Sequence, residues 1–254
     1  MRFYRSSDII QRMKLLDLFC GAGGCAMGYF RAGFADIVGI DIKSQPRYPF
    51  KFVKGDALEY VAEHGREFDL IHASPPCQAY SVATSHNRRA AWKAHSDLVV
   101  KTREILLEIG KPFVIENVEN APLEGLPLFG PHLVLLCGSM FSLDVRRHRL
   151  FETSIAIPQP ECRHSLQLPR FRTLDSRRKG ALACVVGVHG HINYAGEAEL
   201  RKAAMGIDWM NNEELNEAIP PAYCEFIGKA LLPILNQAAT TSSSSGIGAS
   251  STTD

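Results

Sequence analysis

The chain has 254 residues, 46% of them apolar, with 28 Lys and Arg against 27 Asp and Glu for a net charge of +1. That length suits one large domain or a domain with an insertion, and the near-neutral balance excludes a molecule that is basic all over, so any anion-binding face is local. Seven cysteines follow no regular framework, residues 1–14 have no apolar central region and no apolar run is long enough to span a membrane, so free thiols in a reducing cytoplasm are expected rather than secretion or membrane insertion.

Residues 1–13 are polar and mixed. KLLDLF, 14–19, predicts a short buried strand, and CGAGGCAMGYFRAGF then passes from glycines to a helical pattern through Met27, Tyr29 and Phe30. ADIVGIDI predicts a second strand ending at Asp41, FKFVKGDALEY a third followed by Asp56, and FDLIHA a fourth that delivers Ser74, Pro75, Pro76 and Cys77. SDLVVKTREILLEIG predicts a helix capped by Ser96, with Asp97 in its first turn and Gly110 closing it. KPFVIENVENA predicts a fifth strand ending at Glu116.

Strands alternating with helices make the fold class α/β, a doubly wound, mostly parallel sheet with helices on both faces. In such sheets functional groups collect at the carboxyl ends of strands, and Asp17, Asp41, Asp56, Cys77 and Glu116 all fall there. The rhythm stops after Phe151. We expect a core over 1–153, a small separate segment over 154–203, a helical part over 204–238 returning to the core, and a disordered low-complexity tail over 239–254. The middle segment is locally basic: Arg163, Arg170, Arg172, Arg177, Arg178 and Lys179 stand against Glu161 and Asp175.

Gly21-Ala22-Gly23-Gly24-Cys25-Ala26 fits G-x-G-x-x-A between a strand and a helix, with Asp41 twenty residues beyond Gly21. Glycines let backbone approach a nucleotide, and an acid at the next strand end accepts from ribose hydroxyls. Dinucleotide enzymes and enzymes using adenosyl-methionine share this pattern, as does a plain strand–helix turn. Cys77 is held at a strand end behind Pro76; by itself it reads equally as a buried structural thiol or as a nucleophile. Glu116 emerges at the same rim after an apolar run, as a helix cap or as a catalytic carboxylate. The two together, facing an adenosyl-type cofactor, suit covalent catalysis.

LLDLFCGAGG, SPPCQAYS, FVIENV and RRHRLFE, in that order, resemble the cytosine-5 DNA methyltransferases, over residues 14–153 and more weakly over 204–235; the short middle and EAIPPAYCEFIG resemble the compact bacteriophage and bacterial type. The resemblance implies a Rossmann-like methyltransferase fold with a small target-recognition segment. It implies S-adenosyl-L-methionine as cofactor, held by Phe19, Gly21, Gly23, Asp41, Ile42, Asp56, Ala57 and Pro76. Cys77 would be the nucleophile, Glu116 the carboxylate on the target base, and Arg147 and Arg149 the arginines that brace the site. Double-stranded DNA would be the partner, met by Gln78, Ser81, Arg88, Arg89, Arg170, Arg172, Arg177, Arg178 and Lys179. A monomer in the cytoplasm, at the nucleoid of a bacterial host, and a cognate restriction endonuclease complete the expectation.

Some positions depart from the family. Val145 stands where it usually has Gln, the loop after Cys77 has no glycine, and Pro221-Ala222-Tyr223 replaces its usual Gly-Asn-Ser-like ending. The alternative, a transfer-RNA methyltransferase, lacks its Cys-Phe-Thr signature in the middle segment. Cys162, His164, Cys184, His189 and His191 fit no standard zinc spacing, and no metal is expected.

Overall fold

The computed structural model describes residues 12–76, 88–119, 132–167, 171–172, 182–183, 185–188 and 197–244. Seven strands make the central sheet: β1 (Lys14–Leu18), β2 (Asp36–Asp41), β3 (Lys51–Lys54), β4 (Leu70–Ala73), β5 (Phe113–Asn117), β6 (His132–Leu136) and β7 (Arg149–Thr153). Their order is β3-β2-β1-β4-β5-β7-β6. The first five pair in parallel, and β7 runs antiparallel to both β5 and β6. A short antiparallel pair, β8 (Phe171–Arg172) and β9 (Leu182–Ala183), lies in the middle segment.

Parallel strands buried on both faces need continuous apolar sequence, and β4 is buried at every position, as β1 is after Lys14. Around the sheet lie α1 (Gly24–Ala32), α2 (Ala57–His64), α3 (Arg88–Ile109), α4 (Glu197–Met205), α5 (Asn212–Glu217) and α6 (Pro221–Ser244). Tyr29, Phe34, Tyr223, Ile227 and Leu231 seat α1 and α6 on one face. Val61, Val99, Leu106 and Ile109 seat α2 and α3 on the other. A Cβ on Gly24 or Gly28 would strike the carbonyls of Ile219 and Pro221, so Gly28 lets α1 touch the first turn of α6 backbone to backbone and Gly24 lets it touch the segment just before α6. A third cluster, with Ala22, Val145, Val186, Val188 and Met205, ties the glycine loop to the middle segment and α4.

Two expectations about element bounds change. Ser96 does not cap a helix: α3 starts at Arg88 and runs through it, because RRAAWKAH itself holds helix formers that outweigh a local capping signal. Helix α6 runs six residues past 238, to Ser244, and Thr240 and Thr241 hydroxyls bond back to helix carbonyls there.

The chain leaves β1 toward β2 and β3, then returns to β4 and β5 on the other side. The strand order therefore reverses between β1 and β4, where open α/β sheets form a crevice outside the strand ends. Antiparallel β7 begins at the rim where the parallel strands finish. Its first residues are thereby delivered to the same crevice.

Candidate active site

The turn after β1 is tight. Phe19, Gly21 and Gly23 all take left-handed backbone, at φ of 56°, 49° and 85°. For Phe19 this is an uncommon conformation of the kind that clusters at functional sites. Gly21 N–H donates to Asp41 Oδ2 at 3.1 Å, and Lys43 N–H donates to Asp41 Oδ1 at 2.9 Å. Asp41, at the end of β2, is thus fixed against the turn after β1, and each of its oxygens keeps a lone pair for a further donor. A Cβ on Gly21 would meet no atom within 4 Å, so the loop opens onto free space. Beside it Ile42 is 68% exposed, an apolar surface on the rim with no core to cover it. Asp56 caps α2, its Oδ1 accepting from Leu58 and Glu59 N–H; Ala57 is buried and Pro76 half-buried. Trp209 Nε1 donates to the Ala22 carbonyl at 2.8 Å, clasping the loop from the C-terminal side.

The second half of the site stands on β4, β5 and the start of β7. Glu116 is only 6% exposed, and Arg149 Nε lies 3.1 Å from its Oε1. Burial pushes the Glu116 carboxyl above its ordinary range; Arg149, Arg147 and a hydrogen bond from Ser74 pull it back without cancelling the rise. Behind Ser74 a buried chain continues: Ser74 Oγ is 3.0 Å from His72 Nε2, and His72 Nδ1 is 3.1 Å from Tyr29 Oη. Burial lowers the His72 pKa to about 3, so the ring is neutral. A Ser74 hydroxyl turned to Glu116 leaves His72 Nε2 as the donor to Ser74 and Nδ1 as the acceptor from Tyr29.

Asn117, fully buried, donates from Nδ2 to the Pro75 carbonyl at 3.0 Å, and its Oδ1 accepts from Val118 N–H. This clamps the Ser74-Pro75-Pro76 turn to the end of β5. Sequence reasoning missed Asn117, although it stands inside FVIENV.

The two arginines behave differently. Arg149 pairs with Glu116, whereas Arg147 donates to the carbonyls of Val188 and Asn216 and so holds the middle and C-terminal parts on the core. Tyr223, from the ending that departs from the family, donates its hydroxyl to the Arg147 carbonyl at 2.7 Å. Arg88 and Arg89 open α3, and Arg172 lies in β8. Cys77, Gln78, Ser81, Arg170, Arg177, Arg178 and Lys179 lie outside the described residues. Among the described residues, no helix is long and apolar enough to cross a membrane.

A seven-stranded sheet of this order with antiparallel β7 is the Rossmann-like methyltransferase fold. Two solved structures share it: a prophage-encoded protein from E. coli described as a "putative DNA modification methyltransferase", at TM-score 0.56, 17% identity and coverage of 88% of this chain and 99% of that one, and the Dnmt2 methyltransferase of S. pombe, at 0.56, 16%, 88% and 99%. The family model described as C-5 cytosine-specific DNA methylase matches residues 13–122. The Type II methyltransferase M.HgiGI of Herpetosiphon aurantiacus is 31% identical over 124 residues, 44% of this chain and 94% of that protein. M.FnuDI of Fusobacterium nucleatum is 36% identical over 115 residues, 42% of this chain and 33% of that protein. M1.HphI of Haemophilus parahaemolyticus is 30% identical over 134 residues, 46% and 36% of the two chains. The match thus spans about a third of these two longer relatives. The chain belongs to the C-5 cytosine-specific DNA methylase family.

Proposed function

We propose that the chain is a DNA (cytosine-5-)-methyltransferase that uses S-adenosyl-L-methionine and a covalent Cys77 adduct. The observation that carries this reading is Glu116: a buried carboxyl with a raised proton affinity, held by Arg149 and Ser74 at the rim where the clamped Pro75–Pro76 turn leads into Cys77.

Carbon 5 of cytosine is a weak nucleophile. Addition of the Cys77 thiolate to carbon 6 pushes the ring electrons toward nitrogen 3, where Glu116 delivers its proton. The carboxylate left behind is stabilised by Arg149, and carbon 5 becomes the nucleophilic end of an enamine. Bound S-adenosyl-methionine supplies the electrophilic methyl group. After transfer, solvent water takes the carbon 5 proton as the carbon 6–sulfur bond breaks and releases the Cys77 thiolate, and nitrogen 3 returns its proton to Glu116. Carbon 6 is hidden in a duplex, so the cytosine leaves the stack first.

The first half of the site fits the cofactor. Asp41, fixed through both oxygens, accepts from the ribose hydroxyls; Gly21 and Gly23 admit the backbone close to the amino-acid part. Phe19, Ile42, Ala57 and Pro76 wall the adenine, and Asp56 takes its amino group on the oxygen that does not cap α2. Gln78, Ser81, Arg88, Arg89 and the basic run from Arg170 to Lys179 contact DNA. The Type II relatives support pairing with a restriction endonuclease, in the cytoplasm where the nucleoid lies.

The test is methyl transfer from labelled S-adenosyl-methionine to duplex DNA, with the product mapped as 5-methylcytosine. Transfer to transfer RNA and not to duplex DNA would overturn the substrate.

A further inference from the structure

Four metal-ligating side chains meet beside this site. Cys137 follows β6, His148 precedes β7, and Cys162 and His164 come after β7. Their ligand atoms all lie within 4.8 Å of one another. Cys137 Sγ is 3.1 Å from His164 Nε2, and Cys162 Sγ is 3.6 Å from His148 Nε2. A tetrahedral zinc, with sulfur at about 2.3 Å and nitrogen at about 2.0 Å, has ligand–ligand edges of about 3.3–3.8 Å. The Cys137–His164 and Cys162–His148 edges, at 3.1 and 3.6 Å, are close to that spacing, and no edge exceeds 4.8 Å, so small side-chain rotations close the four atoms around one ion.

We propose that Cys137, His148, Cys162 and His164 form a structural Zn²⁺ site that pins the root of the middle segment to the β6–β7 connection. Two thiolates and two imidazoles select zinc over magnesium or calcium, and four protein ligands leave no open position for catalysis.

The surroundings have the second layer that metal sites carry. Glu119 Oε2 lies 3.4 Å from His148 Nδ1, the ring nitrogen turned away from the cluster. Ser139 Oγ lies 3.4 Å from each sulfur and accepts from Arg163 N–H. The two imidazoles stack, with centroids 5.2 Å apart and planes 18° from parallel. Two protonated rings would repel in that arrangement, whereas neutral ligands on one cation do not. A Cys137–Cys162 disulfide would leave no role for the histidine nitrogen set against each sulfur.

The position gives the ion a task. His148 stands between Arg147 and Arg149, so a metal there fixes the peptide that carries the Glu116 partner. Cys162 and His164 open the segment where the basic residues lie. The Cys and His candidates that the sequence alone singles out all lie within 154–203; Cys137 and His148 precede that segment, and Cys184, His189 and His191 lie outside the described residues.

Metal content tests this without reference to methyl transfer. The full chain, purified under reductant from zinc-supplemented cells, should hold about one zinc per chain by plasma mass spectrometry. After chelation, Co²⁺ should give the ligand-field bands of a tetrahedral site and a thiolate-to-cobalt charge-transfer band. Cys162→Ser and His164→Ala should each cut zinc content at least about tenfold, because a structural site needs all four ligands. Cys162→His, which keeps a ligand, should retain zinc and separate ligand loss from misfolding. Cys184→Ser and His189→Ala should keep it too. Wild-type protein that holds no zinc and gives no cobalt bands on refilling overturns the site. So does stoichiometric zinc in Cys162→Ser and His164→Ala.

Discussion

Arg149 Nε sits 3.1 Å from Glu116 Oε1, yet the carboxyl is still harder to ionise than an ordinary glutamate. Desolvation outweighs the arginine. If protonated Glu116 drives the reaction, single-turnover rates should fall as pH rises through its pKa. Ser74→Ala removes a donor that favours the carboxylate, so the alkaline limb should move to higher pH. Glu116→Gln should lower the rate by about 10²–10⁴ and abolish that limb. A limb that stays in place in both variants assigns the titration to another group.

Asn117→Ala leaves the Pro75 carbonyl buried and unpaired. Denaturant titration should show a loss of about 1–3 kcal/mol. Methyl transfer should fall further than stability explains, because the turn leading to Cys77 loses its clamp. A variant with full transfer rate and lowered stability makes Asn117 merely structural.

Asp41→Ala removes the acceptor that Gly21 and Lys43 N–H share. Calorimetry should show S-adenosyl-methionine binding weakened about 10–100-fold, the equivalent of one or two charged hydrogen bonds. DNA affinity should change little. Unaltered cofactor affinity would put the ribose elsewhere.

Asp17 is fully buried on β1; Tyr48 donates to its Oδ2 at 3.2 Å, while Oδ1 has no hydrogen-bond partner among the described residues. Burial raises its pKa well above the usual carboxylate range. A group whose folded pKa is raised contributes stability below its unfolded pKa and loses it as pH rises through the folded value. Thermal melts should therefore show wild type losing stability toward alkaline pH, and Asp17→Asn losing less of it. Parallel pH profiles for the two proteins would contradict a protonated Asp17.

Much of this site was legible because parallel strands put chemistry at their ends. β1, β2, β4 and β5 each read as an apolar run leading to the loop or acid that matters, and the structure brings Gly21 onto Asp41. Direction was not legible: hydrophobic periodicity carries no polarity, so nothing in RRHRLFE said that β7 runs backwards and brings Arg149 onto Glu116. Asn117 was in view, but its partner depends on β4 and β5 being neighbours. Arg147 and Arg149 go to different elements because only Arg149 stands in β7, while Arg147 lies in the irregular stretch before it. The Cys137–His164 group escaped for a related reason: its ligands are spaced by the geometry of a strand pair and not by a helix or a knuckle.

The most direct measurement uses a duplex containing 5-fluorocytosine, incubated with wild-type protein and S-adenosyl-methionine and run on a denaturing gel. Fluorine at carbon 5 cannot leave as a proton does, so the account predicts a protein–DNA complex that survives denaturation, with Cys77 as the attached residue in the peptide map. Cys77→Ser should give none while still binding the cofactor. Methylation of ordinary duplex DNA with no trapped complex, or a complex mapped to another residue, would contradict it.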